Sequence, residues 1–258
     1  MSATGPLAGC GIVVTRPAAQ ATPLVEAILA AGGQAILFPA IEILDVTDVR
    51  PLNDVIDRLE TYSLAVFISP NAVVRGIAQI SARRNWPPEL RAAAIGQGGV
   101  KELQRLGIQE VIAPTLSFDS EGLLALPQLQ RIAGERVVIF RGDGGRELLG
   151  DTLTARGALV DYVVCYRRVR PRADPAPLLQ AWAEHRVHAV TVTSSEGLRN
   201  LFAMLGAPGL SWLRCTPVFA QHPRIAAAAR ELGCRQVMEC APGNKSLIEA
   251  LQQWAASR

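Results

Sequence analysis

Apolar positions along this chain follow two alternating rhythms. Short, nearly continuous apolar runs recur, and between most of them apolar residues return every three or four positions. The first rhythm reads as buried strand and the second as amphipathic helix. Strands are predicted at Gly11–Thr15, Ala35–Phe38, Ala65–Ile68, Ala92–Ile95, Gln109–Ile112, Arg136–Phe140, Leu159–Val164, Ala189–Thr193, Pro217–Ala220 and Arg235–Glu239. In the first helix Thr22 is the expected cap, with Pro23 at the first position, where a missing N–H costs nothing. Leu24/Ile28 and Val25/Leu29 are i,i+4 pairs for its buried side, and Gly32 and Gly33 stop it. Strand and helix alternating in this way predict an α/β fold of doubly wound parallel sheets.

Two segments break the rhythm. Pro39–Ile43 leaves the second strand without a helix, and Cys165–Pro175 leaves the seventh the same way. The chain also repeats itself. Val13–Phe38 is echoed by Val138–Val164, Ala65–Val73 by Ala189–Leu198, Gly96–Gly107 by Ala220–Gly233 and Ser120–Leu126 by Ser246–Leu251, each about 125 residues on. Four matches in one order and one spacing point to an internal duplication. If the helix-less segments are crossings between domains, residues 1–38 with 172–258 hold five strands, residues 44–165 hold five more, and 39–43 and 166–171 are linkers that pair as a two-stranded hinge. Two sequential domains, 1–130 and 131–258, are the simpler alternative. Two similar halves facing each other would form a cleft, where small-molecule chemistry usually sits.

Composition narrows the function classes. The chain has 258 residues, 49% of them apolar, enough for two cores. No apolar run approaches the ~20 residues that cross a bilayer, and the N-terminus has no basic, leader-like start, so a cytoplasmic protein without membrane contact is expected. The net charge of +3 comes without a Lys/Arg block, which speaks against a nucleic-acid partner. Cys10, Cys165, Cys215, Cys234 and Cys240 form no CxxC, and with only three histidines a metal site is not expected. His185 and His188 sit in a polar stretch and read as solvated. His222 lies in a strand–helix turn and has a ligand-facing and a structural reading.

Candidate chemistry gathers where strands hand over to helices. These turns are Thr15-Arg16-Pro17, Ser69-Pro70-Asn71, Gly96-Gln97-Gly98-Gly99, Arg141-Gly142-Asp143-Gly144-Gly145, Ser194-Ser195-Glu196-Gly197 and Gln221-His222-Pro223. In an open α/β sheet such turns line the ligand crevice, and helix N-termini present amides to anions. Singly, Ser69, Asn71 and Ser194 read as N-caps; six such turns together favour a polyanionic ligand held by main-chain amides. There is no GxGxxG after the first strand, no GxxxxGK[ST] and no GxSxG elbow, so nucleotide binding and serine hydrolysis are not indicated.

With "VVTRP…FPAIEI", "VFISPNAV", "IGQG", "FRGDGGRELLGDTLTARGALVDYVVCYRR" and "VTVTSSEGLRNL" in this order, the chain resembles the uroporphyrinogen-III synthases over nearly its whole length. The resemblance implies two flavodoxin-like domains with discontinuous boundaries, each with a doubly wound parallel five-stranded sheet, joined by a two-stranded linker. It implies a lyase that takes linear hydroxymethylbilane, removes its hydroxyl as water and closes the macrocycle with ring D inverted through a spiro intermediate. No cofactor or metal is implied, and the expected enzyme is a monomer. Tyr166, the tyrosine of "VVCYRR", matches the family's candidate general acid; its structural reading is packing on the hinge. Ser69 and Ser194 match the family's serines and are assigned to substrate carboxylates. Arg16 and Arg141 have two readings, pairing with substrate or fixing the domain faces. Pro70, Asn71, Gly96, Gln97, Gly142, Asp143, Ser195, Gln221 and His222 complete the expected substrate-binding set.

The chain departs from the pattern at Gly99 and Ile225, where many members carry threonine, which puts side-chain catalysis at those turns in doubt. A non-enzymatic two-domain binding protein for a polyanionic small molecule is the alternative function.

Overall fold

The computed structural model describes residues 4–144 and 147–258. Its strands are β1 (Gly11–Val14), β2 (Gln34–Leu37), β3 (Glu42–Leu44), β4 (Leu64–Phe67), β5 (Arg91–Ala94), β6 (Val111–Ile112), β7 (Arg136–Gly142), β8 (Leu159–Val169), β9 (Ala189–Val192), β10 (Val218–Ala220) and β11 (Val237–Glu239). They form two sheets, ordered β11-β10-β9-β1-β2 and β3-β8-β7-β4-β5-β6. The registered pairs in both are parallel. The chain divides into two compact units, 1–42 with 169–258 and 43–168.

In the first unit β1, β2, β9, β10 and β11 lie in the spatial order second, first, third, fourth, fifth, the flavodoxin-like arrangement. The second unit repeats that arrangement when β7 and β8 are counted as its first two strands and β4, β5 and β6 as the rest. The pairing follows the sequence duplication: β1 corresponds to β7, and β9 to β4.

Each central strand is buried on both faces, which is why its sequence is an unbroken apolar run rather than an alternation. In β4, Ala65 and Phe67 join one core with Val138 and Phe140 of β7. Leu64 and Val66 face the opposite core with Val137 and Ile139. In β1, Val13 packs with Val190 and Leu201, while Ile12 and Val14 pack with Leu24, Phe219 and Leu247.

Four expectations are corrected. The first helix runs Ala18–Ala30, so Thr22 is not its cap and Pro23 lies inside it. Pro17, with φ −48°, leads into a run of good helix formers, and the acceptor that Pro23 leaves unpaired is the carbonyl of exposed Ala19. The buried side of this helix is Ala21, Leu24 and Ile28, whereas Leu29 is exposed, because a 100° step per residue rotates it off the stripe. The second sheet has six strands, not five: Glu42–Leu44 of the expected linker is β3, beside β8. β8 itself runs through residues 166–169 to Val169, and β3 and β8 are neighbours. Finally, His188 is not simply solvated: its Nδ1 accepts from Gly11 N at 2.9 Å.

Candidate functional site

Each sheet has a topological switch point, where strands on either side of a central pair are reached in opposite directions, and ligands of open α/β sheets bind beyond the carboxyl ends there. In the second unit it falls between β4 and β7, in the first between β1 and β9. The turns that follow are Ser69-Pro70-Asn71 and Arg141-Gly142-Asp143 in one unit, Arg16-Pro17 and Ser194-Ser195 in the other. Because of the duplication, each switch point takes one turn from each repeat.

In the second unit Tyr166 is drawn to this point by a β-bulge. β7 and β8 run in register from Arg136↔Leu159 to Arg141↔Val164, and then Gly142 faces Tyr166, leaving Cys165 as the extra residue. A bulge re-aims the side chains beyond it. Val164 is exposed, yet Cys165 and Tyr166 are both buried, which strict alternation would forbid. Gly142 makes the ring's place: a Cβ there would stand 2.7 Å from Cε2 and Cζ of Tyr166.

The Tyr166 hydroxyl lies 3.0 Å from Ser69 Oγ, which also accepts from Ala72 N at 3.1 Å as the cap of the helix Pro70–Ser81. Tyr166 is only 2% exposed, while Ser69 is half-buried. Burial pushes the phenol above its ordinary pKa of 10.0, outweighing the hydrogen bond from Ser69 and the charge of Arg168. The hydroxyl therefore carries its proton at neutral pH, so at the outset it has a proton to give and cannot take one. Burial also pushes the neighbouring Cys165 thiol up to about 12, so this sulfur is no thiolate. Asp143 braces the turn: its amide donates to Tyr166 O at 3.1 Å, and its Oδ1 accepts from Arg168 N at 2.8 Å. Arg141, 6% exposed, donates to Gly144 O at 2.7 Å within its own turn and lies over the Tyr162 ring. Gly145 of that turn lies outside the described residues.

The first unit is built differently. Thr15 Oγ1 donates to Thr191 O, and Thr191 Oγ1 donates to Val13 O, stitching β1 to β9 just below the switch point. Above it Arg16 reaches past the end of β9. It donates to Gln221 Oε1 at 2.9 Å and to Asn244 Oδ1 at 2.6 Å. Gln221 in turn donates to Gly243 O at 2.8 Å. Both partners of the guanidinium are neutral amides, and among the described residues Arg16 is in no ion pair. Burial lowers its pKa, a sign that no counter-charge offsets the lost hydration. Asn244 also opens the helix Asn244–Ala256, which has no side-chain cap, so a helix N-terminus adds its positive end beside the arginine.

The remaining expected residues are placed as follows. Ser194 Oγ caps its helix by accepting from Gly197 N at 2.9 Å. Unlike Ser69 it is hydrogen-bonded to no second hydroxyl among the described residues. Ser195 Oγ reaches Arg224 O at 3.5 Å. His222 caps the helix Pro223–Glu231, its Nδ1 accepting from Arg224 N at 3.1 Å. Pro70 and Gln97 are exposed and Asn71 and Gly96 half-buried at the edge, and Gly96 opens the helix Gln97–Arg105 without a side-chain cap. The two substituted positions face inward: a Cβ at Gly99 would stand 3.1 Å from that of Ala94, and Ile225 is buried in its unit's core. Asn244 escaped the sequence reading, although "PGN" follows β11 as the other turns follow their strands. Among the described residues, no group of three or more His, Cys, Asp and Glu is placed to hold a metal, and no helix is long and apolar enough to cross a membrane.

Known proteins resemble this chain in sequence and in fold. The family model described as "Uroporphyrinogen-III synthase HemD" matches residues 22–249. The uroporphyrinogen-III synthases of Salmonella typhimurium and Escherichia coli are each 36% identical over 244 residues, 93% of this chain and 99% of theirs. In fold, the chain is similar to the crystal structure of a mutant uroporphyrinogen III synthase from Thermus thermophilus, with a TM-score of 0.64 at 16% identity over 96% of this chain and all of that one.

Proposed function

The chain belongs to the uroporphyrinogen-III synthase family, lyases that cyclise hydroxymethylbilane in tetrapyrrole biosynthesis, and we propose that Tyr166, Ser69 and Arg16 carry the chemistry and the binding. The observation behind this is the hydroxyl pair, Tyr166 Oη and Ser69 Oγ, 3.0 Å apart at a switch point.

The reaction needs one proton at the outset. The leaving hydroxyl of the linear substrate takes it, the carbon–oxygen bond breaks, water departs and an azafulvene cation remains. Tyr166 is the donor, and because its own side chain is buried the proton passes through the half-exposed Ser69 hydroxyl, which gives its proton to the substrate as it receives that of Tyr166. The tyrosinate so formed is offset by the substrate cation. The substituted ring-D carbon then attacks, the spiro intermediate opens, and ring closure releases a proton that restores the phenol. Atoms balance as one linear tetrapyrrole giving one macrocycle and one water. Beyond that transfer the protein's task is to hold one folded conformer.

Substrate carboxylates are the natural counter-charge for Arg16, which has no ionic partner among the described residues, aided by the uncapped helix end at Asn244. Arg141 and Asp143 shape the Tyr166 turn rather than meet substrate, and Ser194 holds its helix. The reading carries with it a cytoplasmic monomer that needs no cofactor, nucleic acid or membrane.

The test is Ser69→Ala. Steady-state turnover of freshly prepared hydroxymethylbilane is expected to fall by about 100-fold in kcat, within the range for general acids, with KM within about threefold of the parent. An unchanged kcat would remove the hydroxyl pair from the reaction.

A further inference from the structure

The carboxyl edge of the second unit continues beyond the hydroxyl pair into a stretch that the polar chemistry leaves unused. Pro70 follows Ser69, and a Cβ on Gly98 would stand 3.0 Å from Pro70 Cγ, so the turn after β5 lies against the turn after β4. A Cβ on Gly96 would in turn stand 3.9 Å from Phe118 Cβ. Phe118 belongs to the loop 113–119, which leaves the carboxyl end of β6 and enters the helix Ser120–Leu124. One contiguous strip therefore runs from Tyr166 and Ser69 through Pro70, Gly98 and Gly96 to this loop.

The loop presents two large apolar side chains to solvent: Leu116 is 95% exposed and Phe118 47%. It is held from within. Ser117 Oγ donates to Asp119 Oδ2 at 2.8 Å, and Asp119 Oδ1 accepts from Gly122 N at 2.8 Å as the helix cap. Ser117 O sits where a Cβ of residue 122 would be, a position only glycine leaves open. The exposure of the two side chains thus belongs to a braced turn.

We propose that Leu116 and Phe118 form an apolar contact for the pyrrole faces and methylene bridges of the linear substrate, beside the hydroxyl pair. This rests on the reading of the site given above. A tetrapyrrole chain is two-natured, with carboxylates on its rim and flat carbon surface between them. The polar turns along the carboxyl edge answer the rim, while the expected site residues offer little to the flat faces. An apolar loop at the same sheet edge supplies what the ring surfaces need to leave water.

The double variant Leu116→Ser/Phe118→Ser tests this. Both side chains are exposed, so its thermal midpoint is expected within about 2 °C of the parent. Its KM for hydroxymethylbilane is expected to rise about tenfold with kcat within about twofold, and Leu116→Met/Phe118→Leu restores KM. An unchanged KM overturns the proposal. So does sedimentation showing that the parent dimerises and the serine variant does not, since the loop is then covered by a second copy. If the serine variant fails to fold, the proposal stands or falls on the same KM rise in Leu116→Ser alone. The two readings fail separately: a parent protein that makes no uroporphyrinogen III sinks the assigned function, whereas an active parent with an indifferent loop sinks only this inference.

Discussion

At the scale of single residues, the Tyr166 hydroxyl makes one hydrogen bond among the described residues, to Ser69, and its ring fits over Gly142. Tyr166→Phe removes only the oxygen. Stability is expected to change by about 1 kcal/mol or less in a denaturant titration, while kcat falls by about 100-fold, and a variant with parental kcat would show that the phenol is only packing. Gly142→Ala asks the same question from the other side of the ring. The added methyl meets Tyr166 at 2.7 Å, so kcat is expected to fall although the hydroxyl is still present, with about 1–3 kcal/mol of destabilisation. Arg16 behaves as a binding group in this account. Arg16→Met keeps most of its volume and removes a charge that has no ionic partner among the described residues, so KM is expected to rise by tenfold or more while the thermal midpoint holds or rises. A lowered midpoint with unchanged KM would make Arg16 a structural residue.

At the scale of elements, the account turns on how the strands end. The apolar runs of β1, β4, β7 and β9 were legible in the sequence because double burial leaves few polar positions in them. The turns after them were legible as turns because small and polar residues follow each run at once. The bulge at Cys165 was not legible. "YVVCYRR" reads as a strand losing its alternation, and only pairing with Gly142 shows that one residue is extra. For the same reason sequence alone leaves Tyr166 both a hinge and a site reading, and gives no hint that Ser69 and Tyr166 touch. Pro23 misled the helix start because proline marks a first turn on average, and here the helix begins five residues earlier. His188 shows a different element-scale effect. Its Nδ1 accepts from Gly11 N at the start of β1, and burial, with help from Arg258, lowers its pKa below 6.5. The folded state thus favours the neutral ring. Its contribution is in place above pH 6.5 and is lost as pH falls through the lowered folded value. Thermal midpoints measured from pH 7.5 to 5 are expected to decline less in His188→Gln than in the parent; parallel curves would contradict this.

At the scale of the whole molecule, the duplication explains why neither repeat is a unit. Strands β4, β5 and β6 need β7 and β8 to complete their sheet, and β1 and β2 need β9, β10 and β11. The chain enters the second unit on β3 and leaves it on β8, which are neighbours in its sheet. Residues 43–168 expressed alone are therefore expected to fold and to unfold cooperatively by circular dichroism, and a fragment without a cooperative transition would contradict the division of the chain. The repeat was visible in the sequence from matched segments about 125 residues apart. Its consequence, a switch point in each unit built from one turn of each copy, needed the strand order. The two switch points have diverged. One holds a serine–tyrosine pair that keeps its proton, the other an arginine without a counter-charge among the described residues. The most direct test is the isomer made by the parent protein. Freshly prepared hydroxymethylbilane is incubated with it, the products are oxidised to porphyrins, and the isomers are separated. The account predicts isomer III, with ring D inverted, in large excess over the spontaneous isomer I, and that excess is lost in Tyr166→Phe. Isomer I alone from the parent protein would contradict it.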